Sequence, residues 1–82
     1  MNLRELRDSR GLQRKFVVAE LNISGKHLND IEAGRVNLTE KVALKLSRFY
    51  DVHILVIKEM YLEGKNEKEW YYRGSKSIGK KD

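Results

Sequence analysis

Two short blocks with helical spacing stand almost end to end in this chain. The first runs from about Gln13 to Leu21 and places Val17, Val18 and Leu21 on one face. The second runs from about Gly25 to Ala33 and places Leu28 and Ile31 on one face, leaving Lys26, His27, Asn29 and Asp30 on the other. Only Leu21-Asn22-Ile23-Ser24 joins them. Asn22 tolerates the left-handed backbone that so tight a joint needs, and Ser24 reads as an N-cap. A polar-faced helix held at a steep angle on its neighbour protrudes from the domain.

The rest of the chain reads as further helices. Leu3 and Leu6 mark a short amphipathic helix that ends near Gly11, with Leu12 as an apolar anchor after it. Gly34 stops the third block. Thr39 is a second N-cap, followed by Glu40, whose carboxylate suits a helix N-terminus. Val42, Ala43, Leu46, Phe49 and Tyr50 form the longest stripe, which Asp51 breaks. A fifth block, about 53–62, is rich in β-branched residues; its length and its helical surroundings favour a helix over a strand. Residues 66–73 could form one more short helix, and the Gly-, Ser- and Lys-rich stretch from Gly74 is expected to be disordered.

Composition bounds what such a chain can be. Its 82 residues allow one small domain. It has no cysteine, which removes disulfide scaffolds, cysteine-bound zinc and a cysteine nucleophile. Apolar runs do not exceed four residues, and the N-terminus lacks the apolar stretch of a signal peptide, so a soluble, cytoplasmic protein is expected. The net charge of +5 favours a polyanion. Arg73, Lys76, Lys80 and Lys81 against Asp82 put three of those five charges in the last ten residues. Two separated histidines and scattered carboxylates make no triad, no phosphate-binding glycine loop and no metal spacing, so neither an enzyme nor a metal or cofactor is expected.

Two consecutive helices joined by so short a turn have the shape of a helix-turn-helix, whose second helix fits a major groove about 12 Å wide. Residues 3 to about 55 resemble the Cro/C1-type (Xre-family) domain of phage repressors and bacterial regulators. The resemblance rests on Leu3-Arg4-Glu5-Leu6-Arg7, Gly11-Leu12, Leu21-Asn22-Ile23-Ser24, Leu28-Asn29-Asp30-Ile31-Glu32-Ala33-Gly34-Arg35-Val36-Asn37, Leu44-Lys45-Leu46 and Tyr50-Asp51-Val52, in register without a gap. It implies an all-α, compact, five-helix lambda-repressor-like domain over 1–58, followed by an aromatic extension over 59–73 and a basic tail over 74–82.

The resemblance also implies roles. Arg7 and Glu32 fall where the family often has a structural ion pair. The positions that read bases fall on Gly25, Lys26 and Asp30, with Asn29 beside them. Lys26 suits guanine; Asp30 suits the cytosine amino group, or holds Lys26 or His27 in place; Asn29 suits adenine. Gly25 departs from the pattern, since it has no side chain and offers only close backbone approach. Arg14, where the family usually has Gln, together with Lys15, Ser24, Gly25, His27, Arg35 and Asn37, is assigned to phosphate contact. Val18 stands where the family prefers Ala and raises the prospect of overpacking, with Ala43 and Ser47 as the places to find room.

The extension carries Met60, Tyr61, Trp70, Tyr71 and Tyr72, read as an interface, as packing on the domain, or as aromatics lying along DNA. The expected partners are double-stranded operator DNA, palindromic if the chain is a homodimer, with an antitoxin-like module that also binds a protein as the alternative.

Overall fold

A computed structural model describes residues 1–65, and five helices make up this part of the chain. They are α1 (Leu3–Ser9), α2 (Arg14–Leu21), α3 (Gly25–Ala33), α4 (Glu40–Tyr50) and α5, helical from 54 to 65. No strand occurs among the described residues.

Local chemistry sets most boundaries. At α1, Asn2 and Glu5 form a capping box: the Glu5 N–H donates to Asn2 Oδ1 at 2.8 Å, and the Asn2 N–H donates to Glu5 Oε1 at 2.9 Å. Ser24 Oγ accepts from the His27 N–H at 3.0 Å, and Thr39 Oγ1 from the Val42 N–H at 3.3 Å, so both expected N-caps are in place. Asn22 closes α2 in the left-handed region at φ 57°, and Gly34 closes α3 at φ 74°. α1 ends on Arg10, and Gly11 just beyond it takes φ 67°.

The apolar faces meet in one core. Leu3 and Leu6 come from α1, Val17 and Leu21 from α2, Leu28 and Ile31 from α3, Val42, Leu46 and Tyr50 from α4, and Ile57 and Tyr61 from α5. Val18 is half-buried at the margin of this core, so the extra methyl groups are not wedged at its centre. Each of the fully buried aliphatic side chains contributes about 1.5–3 kcal/mol by leaving water.

The fifth block is a helix, and it runs further than its spacing suggested. Asp51 takes φ 57°, Ser47 ties down Val52, and His53 starts the new helix by accepting the Leu55 N–H on its Nδ1 at 3.1 Å. Helix α5 then passes without a break across residues 58 and 59 and through Gly64, where a stop was expected near Leu62. Gly64 is buried: an added Cβ there would lie 3.1 Å from the Glu32 carbonyl oxygen. The glycine marks a close approach of α5 to the end of α3 instead of a helix end. The buried Ile57 and Tyr61 hold α5 against the domain, and two exposed pairs, the Met1 ammonium with Glu63 and Lys58 with Glu40 of α4 at 2.8 Å, flank that contact.

Candidate nucleic-acid interface

The site is built around α3, and its rigidity comes from beneath. Leu28 and Ile31 anchor one face of the helix in the core. At its C-terminal end, Arg7 Nε and Nη2 donate to the two carboxylate oxygens of Glu32 at 2.8 and 3.2 Å, with both side chains buried. Arg7 Nη1 also donates to the Leu12 carbonyl at 3.0 Å. One guanidinium therefore ties α1, the segment before α2 and the end of α3 together. The bond to Glu32, opposed by burial, raises the Arg7 pKa further above its already high value.

The outer face is a cluster of charges. Lys26 is 85% exposed and its Nζ lies 2.8 Å from Asp30 Oδ2, while Arg35 Nη1 lies 3.0 Å from Asp30 Oδ1. Asp30 itself is only 8% exposed. Its carboxylate is held below the usual range by the bond to Lys26 first and by Arg35 as well, against the cost of burial. Arg14, at the start of α2, reaches across and donates from Nη1 to Asn29 Oδ1 at 3.1 Å. Lys15, His27 and Asn37 are exposed. A shallow cleft of about 310 Å³ runs beside the head of α3, lined by Ser24, Lys26, His27, Asp30, Val36, Asn37 and Thr39. At Gly25 an added Cβ would meet nothing within 4 Å, so backbone at the first turn of α3 is open to approach.

A helix-turn-helix family model matches residues 3–57. The chain belongs to the Cro/C1-type helix-turn-helix family. No curated protein matches it. No solved structure matches it. As a Cro/C1-type helix-turn-helix protein it is a DNA-binding regulator of transcription, and its partner is double-stranded DNA. Its α2 and α3 are the two helices of the motif, with Asn22-Ile23-Ser24 as the turn.

Asp30 accepts from Lys26 and Arg35 and not from His27, the arrangement its holding role asks for. Arg14 is drawn over α3 by Asn29. That bond uses one of the two lone pairs of the Asn29 oxygen. Tyr61, read either as interface or as packing on the domain, packs on the domain: it is 8% exposed and donates its hydroxyl to the Val36 carbonyl at 2.6 Å. Met60 packs against the core. Trp70, Tyr71 and Tyr72 lie outside the described residues. The exposed apolar side chains of α5 are Leu55, Val56 and Leu62. Setting Ile54, Ile57 and Tyr61 inward at helical spacing would have found them, since Leu55 and Leu62 then share the outer face.

Proposed function

We propose that this protein is a cytoplasmic repressor of phage or mobile-element type that acts by occupying its operator. Helix α3 enters the major groove, Lys26 meets base edges, and Arg14, Lys15, His27, Arg35, Asn37 and the first turn of α3 at Ser24 and Gly25 hold the phosphate backbone. The observation that carries the reading is the exposed Lys26 at the head of a helix whose other face is anchored by Leu28, Ile31 and the Arg7–Glu32 pair. A reading helix must be accessible and firmly held, and the exposure of Lys26 and the buried anchors of α3 support that role.

Binding to the DNA upstream of its own reading frame, measured at two salt concentrations against random duplex, tests the proposal. Preference for the upstream DNA is expected at both, with affinity falling steeply as salt rises. No preference at either concentration would overturn it.

The operator-bound form is proposed to be a homodimer. Leu55 and Leu62, two turns apart on α5, are 61% and 50% exposed. Leu44 on α4 and Leu55 on α5 each lie one helical turn from a partner of the Glu40–Lys58 pair. These leucines supply apolar surface for a second copy. Sedimentation equilibrium of the wild type and of Leu55→Glu checks this, with a dimer expected for the first and a monomer for the second. A wild-type monomer that co-purifies with the product of a neighbouring reading frame would instead support the antitoxin-like alternative.

A further inference from the structure

A second groove, of about 400 Å³, lies between α2 and α4 and shares no lining residue with the cleft beside α3. Glu20, Leu21 and Asn22 form one wall, and Lys45, Arg48 and Phe49 form the other. Beside it stands Phe16, one turn before Glu20 on α2 and 51% exposed. Its ring centroid lies 6.2 Å from that of Phe49, which in turn meets Tyr50 edge-on at 4.9 Å. Val17 and Leu21 supply the buried face of α2, so the core does not account for Phe16. A single exposed apolar side chain needs no explanation, but here two rings run together into a groove.

The charges along the groove are uneven. Arg48 is exposed and forms no ion pair among the described residues. Lys45 donates to the Leu21 carbonyl at 3.0 Å and keeps its charge and two further N–H donors. Glu20, on the facing wall, pairs with neither of them. The α4 wall therefore offers two cations without a carboxylate, next to an aromatic surface. A nucleic-acid strand tracks a longer run of cations than two, and Glu20 opposes its phosphates. We propose that this groove docks an acidic segment of a partner protein. An aromatic or large aliphatic side chain of that segment seats on Phe16 and Phe49, and its carboxylates lie along α4 on Arg48 and Lys45. Glu20 keeps carboxylates off the α2 wall and so sets the direction of the segment. Because the groove is separate from the cleft beside α3, partner and DNA can be held together.

Selection of displayed random peptides of about 12 residues on the full chain tests this, with excess random duplex DNA present to cover the α3 face. Recovered sequences are expected to combine Asp or Glu with an aromatic or large aliphatic residue. The tightest of them, synthesised and labelled, is then titrated by fluorescence anisotropy. Phe16→Ser should weaken it about fivefold or more and Arg48→Glu about tenfold or more, while Arg48→Lys stays within about threefold of the wild type. Both side chains are exposed, so thermal melts should show all three variants folded. Recovery of basic or purely polar sequences, or an affinity unchanged in both Phe16→Ser and Arg48→Glu, would overturn the proposal. Displacement of the peptide by an unlabelled thymidine oligonucleotide would assign the groove to single-stranded nucleic acid instead. A dimer that Phe16→Ser converts to a monomer in sedimentation equilibrium would assign it to a second copy of this chain.

Discussion

Arg7 and Glu32 show how much a single residue can hold in a domain this small. Removing one partner strands the other charge in the interior, so Arg7→Ala should destabilise the fold by about 3–5 kcal/mol in urea denaturation. The double change Arg7→Met with Glu32→Leu should restore a large part of that loss, because it strands nothing. Tyr50 gives a second residue-scale prediction. Burial first, and the Glu32 charge next, push its hydroxyl up to about 12, with Arg7 and Arg10 opposing and Asp8 adding a little. In the unfolded chain the same group ionises near its ordinary value of about 10. The folded state therefore keeps a proton that the unfolded state gives up. Stability present below pH 10 should fall by about 2–3 kcal/mol as pH climbs from 10 to 12. Denaturant midpoints across that range check this, and Tyr50→Phe should flatten the curve.

At the scale of the element, the two glycines that bound α3 have opposite meanings. Gly25 has open space around it and no positive φ, so Gly25→Ala should stabilise the fold by about 0.4–1 kcal/mol. Loss of DNA affinity in the same variant would report backbone approach to phosphate. Gly34 sits at φ 74°, and a Cβ there would lie 2.8 Å from the Lys65 Cα, so Gly34→Ala should destabilise by about 1–3 kcal/mol. Thermal melts of the two variants should move in opposite directions. Helix α5 also reaches the interface through Tyr61, whose hydroxyl holds the Val36 carbonyl between Arg35 and Asn37. Tyr61→Phe should cost about 0.5–1.5 kcal/mol of stability and, if the loop at Arg35 and Asn37 holds phosphates as proposed, should weaken binding to matched and random DNA alike.

At the scale of the molecule, the helix order, the turn at Asn22, both caps at Ser24 and Thr39 and the main core residues of α1 to α4 were legible in the sequence. Each depends on residues within one or two turns of one another. The Arg7–Glu32 pair was legible only through the family resemblance, because its members lie 25 positions apart. What escaped the sequence was set by packing between distant elements. The spacing of the fifth helical block ends near Leu62, but α5 continues through Gly64, where the approach of Glu32 and Asn2 makes a contact point. For Tyr61 the sequence leaves interface and packing on the domain both open, and the bend at Asp51-Val52-His53 decides it by turning the side chain inward to Val36. The holding of Lys26 by Asp30 is among the readings of the sequence; the second cation, Arg35, is not, because it lies beyond the end of the helix and folds back.

The contact between Gly34 and Lys65 also ties two positions together in descent. One belongs to the motif that reads DNA, and the other to a helix that continues past the matched domain. Any relative that keeps α5 at this length should keep glycine at the end of its reading helix. A relative that has lost the glycine should carry an α5 that stops short or veers away. Changes at 34 and changes near 65 should therefore appear together across lineages, so that the segment following the domain leaves its mark on the domain's own sequence.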